Sequence, residues 1–193
     1  MREYIDLVNE DLLEEDAGSG PSIALTHQGN GMMEQWQNEE VCLAGGWRTG
    51  GSPANYMRVG YSIIDVQEYL KTQDAAASDF GIVECYKNAQ NQLAALINIK
   101  LDKTKRKAGI GGKVVRALVA TYPDHFTIID IRRPAVGFWK KMGAEFYTPN
   151  GKPINAAGSH RGDTLLGVIH KAGSQTELSD LPAFYKRTSR PKD

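Results

Sequence analysis

The apolar and polar positions in the first half of the chain predict short helices and strands in alternation. Residues 2–16 carry apolar side chains at helical spacing and acids on the other side, which predicts an amphipathic helix. Ser62 followed by Asp65 resembles a capping box and predicts that another helix begins there. The elements predicted for this half are that first helix, a strand over 22–27, a helix over 30–44, a glycine-rich loop over 45–55, a strand over 56–61, a helix over 62–73 and a break over 75–78.

The second half of the chain has a sharper pattern. Residues 93–101 are apolar on both faces for most of their length, which indicates a central strand. Pro134 suits the first turn of a helix, and Gly143 suits the end of that helix. The predicted elements are strands over 80–86 and 93–101, a helix over 111–120, a strand over 126–131, a helix over 134–142, and strands over 144–147 and 164–170. We expect one mixed α/β domain over 1–172 and a loosely determined tail over 173–193.

Composition and charge then limit the class of protein. The chain has 193 residues and no net charge, so nothing draws the whole molecule to nucleic acid or to an anionic membrane. Neither Cys42 nor Cys85 has a Cys or His neighbour at metal-ligand spacing, and we expect neither a disulfide framework nor a metal site. No apolar run approaches the length of about 18 residues that a membrane helix needs, and no signal-peptide pattern opens the chain. We therefore expect a soluble, cytoplasmic protein.

The two ends of the chain differ in charge. Acidic residues gather in positions 1–16 and basic residues in positions 186–193. Two solvated ends, pairing between the ends, and contact with a partner subunit in a homodimer are all consistent with this distribution.

The glycines of residues 105–115, Lys-Arg-Lys-Ala-Gly-Ile-Gly-Gly-Lys-Val-Val, predict a phosphate-binding loop between a strand and a helix. A P-loop does not fit, because Lys107 stands where its first glycine should be and Val114 where its Ser or Thr should be. A dinucleotide fingerprint fits Gly109 and Gly111, but Val114 again replaces the third small residue. The pattern Arg/Gln-x-x-Gly-x-Gly/Ala is satisfied, with Arg106 as its first residue.

This loop resembles the coenzyme A pyrophosphate loop of the GCN5-related N-acetyltransferase (GNAT) superfamily. The whole stretch from Ile99 to Gly111 resembles the family's passage from strand to loop without a gap. Downstream, the run Ala135-Val-Gly-Phe-Trp-Lys-Lys-Met-Gly143 resembles the family's second coenzyme-side motif. The resemblance covers about residues 80–147 and implies an acetyl-CoA-dependent N-acetyltransferase that uses no metal.

The resemblance also implies a fold and a coenzyme site. The fold would be α+β, a mixed and mostly antiparallel central sheet with a splayed parallel strand pair and helices on both faces. The pantetheine arm would lie between strands 93–101 and 126–131, and the pyrophosphate would bind backbone N–H groups at a helix start. The residues that the resemblance assigns to the coenzyme are Ile99, Leu101, Arg106, Lys107, Ala108, Gly109, Ile110, Gly111, Gly112, Lys113, Phe138 and Trp139.

In the family's mechanism, the acceptor amine attacks the thioester directly. The catalytic groups expected are therefore a base that deprotonates the amine and an acid that protonates the leaving thiolate. Glu84 lies in an apolar run, where burying a carboxylate is costly, and it is therefore the candidate base. The alternative is a structural carboxylate that is solvated at an edge of the sheet. Asn98 is similarly out of place in its strand, where it could orient a substrate or be a satisfied structural amide. Family members often have a tyrosine acid at the position of Trp139, which cannot serve, so Tyr147 or water is the candidate acid.

The acceptor amine, which could belong to a small molecule or to a protein, is not indicated by the sequence. In the family, the regions that correspond to residues 17–79 and 148–162 shape the acceptor side, and the loop over 45–55 could be a lid. These regions contain His27, Trp36, Trp47 and His160, each of which could line a pocket or be structural. Two other functions stay open: a coenzyme- or protein-binding module without activity, and a transferase acting on charged tRNA, which the neutral net charge argues against.

Overall fold

A computed structural model describes residues 4–6, 23–29, 34–50, 55–102, 104, 109–122, 125–148, 151–154 and 165–170. The strands in these ranges are β1 Tyr4–Asp6, β2 Thr26–Gln28, β3 Glu34–Gln37, β4 Val41–Arg48, β5 Met57–Asp65, β6 Asp79–Lys87, β7 Leu93–Asp102, β8 His125–Ile131, β9 Glu145–Tyr147 and β10 Leu165–His170. The helices are α1 Val66–Thr72, α2 Ala75–Ser78, α3 Ile110–Thr121 and α4 Val136–Lys141, with a 3-10 turn over Arg133–Ala135.

All of these strands belong to one sheet. Its order is β2-β3-β4-β5-β6-β7-β8-β10-β9, and β1 pairs with β7 off this path. The pairing of β7 with β8 is parallel, and the other described pairs are antiparallel. The expected α+β class, with a mixed and mostly antiparallel sheet, is confirmed. The continuous apolar run of β7 is explained by its central place between β6 and β8.

Alternating side chains of the strands form a core on each face of the sheet. Along β10, Leu165 and Ile169 join the larger core, whereas Leu166 and Val168 join the smaller one. The buried side chains of α3 and α4 all belong to the larger core, and α1 has no buried residue. Helices on both faces of the sheet stay a prediction.

The helix predicted over 30–44 is wrong, because the described part of this segment is a β-hairpin. β3 and β4 pair antiparallel, and Trp36 lies opposite Leu43. The turn between them is held by Asn38, whose Oδ1 accepts the N–H groups of Glu40 at 2.9 Å and Val41 at 2.8 Å. The glycine-rich loop predicted over 45–55 is also wrong in part, since β4 continues through Gly45 and Gly46 to Arg48.

Two helix starts also differ from the prediction. α1 begins at Val66 because Asp65, not Ser62, is its N-cap, with the Asp65 carboxylate accepting the N–H of Glu68 at 3.0 Å. Of the helix predicted over 2–16, the described residues Tyr4–Asp6 form a strand. A short helix, α2, stands at the predicted break. The strands and helices predicted from residue 80 onward are confirmed to within a few residues.

Candidate functional site

The central feature of the candidate site is the divergence of β7 and β8. Within the described residues, these parallel strands share one register position, Leu96 opposite Ile128. Further along the same edge of β7, the partner is β1, with Ile5 opposite Leu101 and Asp6 opposite Lys100. The other edge of β7 is occupied by β6 throughout this stretch, so β1 must lie on the β8 side. The predicted coenzyme-pairing edge near Ile99 and Leu101 therefore carries the chain's own N-terminal strand.

The predicted pyrophosphate loop ends at the start of α3. Gly109 is the N-cap in a left-handed conformation, with φ of 60°, and no side chain caps the helix there. The first intrahelical bond runs from the N–H of Lys113 to the carbonyl of Gly109, at 3.2 Å. Helices leave their first N–H groups without an intrahelical acceptor, so this end is suited to an anion. Arg106, Lys107 and Ala108 lie outside the described residues.

The other predicted coenzyme residues are mostly packed inside. Ile99, Leu101, Ile110, Gly111 and Gly112 are buried, and only their backbone could meet a ligand. The Lys113 ammonium is 3.7 Å from the Asp65 carboxylate at the start of α1.

The second coenzyme-side motif contributes to the core. Phe138 and Trp139 are 1% and 0% exposed, and their rings pack edge to face with centroids 5.1 Å apart. Phe126 packs on Trp139 at 6.2 Å. Contact between these two side chains and a coenzyme stays a prediction.

A cavity of about 140 Å³ lies on the face of the sheet away from α3 and α4, because its lining residues Ile82 and Glu84 alternate with Val83 and Cys85 of the larger core. It brings the candidate base Glu84 together with Asn98, because these residues face each other directly on β6 and β7. Among the described residues, the cavity is lined by Trp47, Thr49, Ile82, Glu84, Asn98 and Lys100. Trp47 and Thr49 come from the segment that the sequence indicated as a lid, and the structure makes them part of the wall.

The polar groups of the cavity are incompletely paired. Arg58 donates from Nη2 to both Glu84 oxygens, at 3.3 and 3.2 Å. The Asn98 Oδ1 and Thr49 Oγ1 atoms are buried and have no hydrogen-bond partner among the described residues. A buried acceptor without a partner costs about 1–3 kcal/mol. An incoming donor would remove this penalty, so the cavity is suited to a ligand with N–H groups. Asn98, for which a structural amide was the alternative, is therefore not satisfied by the described protein.

The absence of a side chain at Gly60 leaves room for the Trp47 and Thr49 side chains that form one wall of this cavity. This glycine lies on β5 between Trp47 of β4 and Glu84 of β6 in the same row across the sheet. A Cβ at Gly60 would stand 2.7 Å from both the Trp47 indole nitrogen and a Thr49 methyl carbon. Any side chain at position 60 would therefore push these two groups away from the sheet.

Tyr147, the candidate acid, is not brought to this cavity. It lies on β9, four strands away from β6 in the sheet, and four spacings amount to about 19 Å. Its hydroxyl donates to the Glu145 carboxylate at 2.8 Å. Burial, with this hydrogen bond and the nearby negative charge, raises the pKa of Tyr147 to about 12. A group with that pKa is a poor acid for a leaving thiolate.

A buried polar cluster around Glu34 was not indicated by the sequence analysis. The Glu34 carboxylate is bonded by Lys87 Nζ, by the Tyr61 hydroxyl at 2.8 Å and by the Trp36 indole N–H at 3.1 Å. His27 Nε2 lies 2.7 Å from the same carboxylate. His27 and Trp36, which could have lined an acceptor pocket, thus belong to this cluster, while His160 lies outside the described residues.

The donors around Glu34 decide its ionisation. Burial alone would raise the pKa of this carboxyl, but the hydrogen bonds from Lys87 and Tyr61 and the charge of Lys87 prevail and lower it below its ordinary value of 4.5. Because the carboxylate is fully paired, we assign the cluster to the stability of the β3–β6 region. One feature of the sequence does point to this cluster: by alternation, Lys87 lies on the same face of β6 as the buried Val83 and Cys85.

The two cysteines are held as thiols. Burial raises the pKa of Cys85 to about 12 and also raises that of Cys42. A thiol in this state is a poor nucleophile, so neither group favours a covalent cysteine mechanism.

Three observations bear on what the chain could bind or resemble. No cluster of His, Cys, Asp or Glu suited to a metal ion is found among the described residues. None of the described helices is long and apolar enough to cross a membrane. Comparisons of the chain with protein-family models, curated proteins and solved structures find no match.

Proposed function

We propose that this protein is an acetyl-CoA-dependent N-acetyltransferase that moves an acetyl group to an amine by direct attack on the thioester. The observation that carries the proposal is the divergence of β7 and β8 after Leu96 and Ile128, followed along the chain by a glycine-led helix start at Gly109. A diverging parallel pair leaves a gap in the sheet for an extended amide-containing arm, which would pair with the β7 edge in place of β1. The helix start offers N–H groups and a positive dipole end to its phosphates.

In this mechanism the pantetheine amides pair along the β7 edge near Ile99 and Leu101, in the place that β1 otherwise occupies. Backbone N–H groups of β7 near residue 99 polarise the thioester carbonyl. The acceptor amine enters the cavity beside Glu84, which takes its proton directly or through one water. The amine nitrogen forms a bond to the acetyl carbon as the C–S bond breaks, so no acyl-enzyme forms and positioning supplies much of the rate.

The leaving group needs little help. A thiol has a pKa of about 8.5, so its thiolate can depart and take a proton from water afterwards. This is consistent with the buried Trp139, which has no acidic proton to offer, and with the separation of Tyr147 from the cavity.

The second candidate is a binding module that has this fold and no transferase activity. Its support is the pairing of β1 with Lys100–Asp102, which fills the edge that a coenzyme arm would need. In that case β1 stays in place and the cavity, if used, serves another ligand.

Thermal unfolding with acetyl-CoA, coenzyme A and NAD tests the coenzyme site, and thiol release then separates a transferase from a binding module. A rise in Tm with both coenzyme A species, and none with NAD, is expected for the transferase, because a ligand of the native state stabilises it by mass action. Release of free thiol from acetyl-CoA in the presence of amines then tests the reaction. No Tm change with either coenzyme species at millimolar concentration would sink the proposal.

Gly109→Glu provides the matching variant, since it places a carboxylate against the pyrophosphate. Gly151→Glu is the control: Gly151 also has a positive φ, of 77°, and a Cβ there would meet nothing within 4 Å. We expect the first variant to lose the Tm rise and the second to keep it.

A further inference from the structure

We propose that the cavity takes a small primary amine that also carries a carboxylate, an acceptor of the amino-acid class. This inference rests on the proposed transferase function and concerns the acceptor side of that same site.

The size of the cavity sets the first limit. Its volume of about 140 Å³ is close to that of an engineered protein cavity of about 150 Å³ that holds benzene. A compound of roughly six or seven heavy atoms fits such a space, on the same comparison. The indole of Trp47 forms one wall and offers an apolar surface to the carbon atoms of the ligand.

The unpaired acceptors set the second limit. Asn98 is 9% exposed, and its Oδ1 has no hydrogen-bond partner among the described residues. Glu84 lies directly opposite Asn98 and both line the cavity, so a carboxylate and an amide oxygen from neighbouring strands are available to one ligand. A primary amine donates to both and stands next to residue 99, where the thioester is expected.

The charges set the third limit. The charged side chains that the structure describes in the cavity and in the ion pair beside it are Lys100, Arg58 and Glu84, which together carry one net positive charge. Arg58 already holds the Glu84 carboxylate, whereas Lys100 has no ion-pair partner among the described residues. A dicationic amine would meet like charge here, and a ligand carboxylate would meet Lys100.

The spacing of Asn98 and Lys100 along β7 suits the distance between the amine and the carboxylate of such a ligand. Asn98 and Lys100 are two residues apart and face the same cavity, which places their Cα atoms about 6.6 Å apart. The long Lys100 side chain can reach a carboxylate that is one to four carbon atoms from an amine at Asn98.

The experiment compares acceptors that differ only in charge. The probes are 4-aminobutanoate, butylamine and 1,4-diaminobutane, assayed with acetyl-CoA, and the same compounds titrated calorimetrically without it. Wild type is expected to prefer 4-aminobutanoate. Lys100→Met should raise KM for 4-aminobutanoate about tenfold, which corresponds to the loss of one charge-assisted hydrogen bond. The KM for butylamine, which has no carboxylate, should stay the same.

Two further variants separate the binding of the amine by Asn98 from the binding of the carboxylate by Lys100. Asn98→Leu should weaken the binding of 4-aminobutanoate and of butylamine to a similar extent, because it removes the hydrogen-bond acceptor for the amine. Lys71→Met, on the exposed face of α1, is the charge-matched control and should change neither.

The outcomes distinguish this inference from the proposed function. Equal effects of Lys100→Met on 4-aminobutanoate and butylamine, or a preference for 1,4-diaminobutane, would overturn the inference while the transferase stands. Calorimetric binding of 4-aminobutanoate that depends on Lys100, in a protein that does not bind acetyl-CoA, would support the ligand class and overturn the transferase. No binding of any probe would overturn the inference.

Discussion

Lys87 and Glu34, 53 residues apart in the chain, form an ion pair in which both side chains are only 2% exposed. Their pairing connects β3 to the end of β6 across two intervening strands of the sheet. A buried pair is costly to break one side at a time, because the remaining charge is left unpaired in the core.

We therefore expect Glu34→Ala to lower the free energy of unfolding by about 3–5 kcal/mol. The double variant Glu34→Leu, Lys87→Met should lose less than the sum of its two single changes, because neither charge is then left alone. Urea unfolding followed by tryptophan fluorescence measures both. Glu39→Ala, at an exposed position of the nearby turn, is the control. A loss below about 1 kcal/mol in Glu34→Ala, the range of exposed ion pairs, would contradict this prediction.

The lowered pKa of Glu34 predicts an acid-sensitive stability. Its native pKa lies below the ordinary 4.5, so the unfolded chain binds more protons between these two values and stability rises with pH there. The contribution is complete above about pH 4.5 and disappears as the pH falls through the native pKa. Urea titrations between about pH 7 and pH 3 should show this slope in wild type, and Glu34→Gln should lack part of it. Parallel curves for the two proteins would mean that Glu34 does not titrate as described.

Glu84 offers a test of the proposed base. Glu84→Gln should lower kcat about a hundredfold, the usual size of a general-base contribution, without changing the Tm rise caused by acetyl-CoA. The deficit should shrink at high pH, because more of the free amine is then deprotonated before it binds. Glu39→Gln is the matched control. If Glu84→Gln retained full activity across the pH range, the base would be elsewhere and Glu84 would serve only to hold Arg58.

The N-terminal strand predicts competition at the coenzyme edge. Removing residues 1–6 frees the β7 edge at Lys100–Asp102, so the apparent affinity for coenzyme A should increase, by about tenfold if β1 is worth about 1.4 kcal/mol there. Calorimetry measures the affinity. In the full chain, coenzyme A should also change the hydrogen exchange of residues 4–6. Equal affinities in both forms would show that β1 and the coenzyme do not share this edge.

The second half of the fold could be predicted because each pattern there has one explanation. Residues 93–101 are apolar on both faces for most of their length, which a central strand explains, and Pro134 and Gly143 mark the two ends of a helix. The hairpin of β3 and β4 could not be predicted in this way. Its turn contains no glycine or proline and depends on the side chain of Asn38, and the apolar residues around it fit helical spacing as well as alternation.

Part of the candidate cavity could be indicated from the sequence, but its arrangement could not. Glu84 and Asn98 were indicated because polar side chains inside apolar strands need a reason, and the register that places them opposite each other came from the structure. The Trp47 wall depends on the absence of a side chain at Gly60, which no local pattern reports. The Glu34 cluster depends on chain-distant pairing, and only the alternation of β6 hinted that Lys87 faces inward.

The position of β1 has a practical consequence for the handling of this protein. Tyr4 pairs with Asp102 on the edge of β7 that the proposed coenzyme groove uses. An affinity tag attached ahead of β1 would therefore be joined to the strand that competes for this edge, and its length and charge would affect any binding constant measured there. Purification with a removable tag, and assay after its cleavage, would keep the engineered sequence out of the site under study.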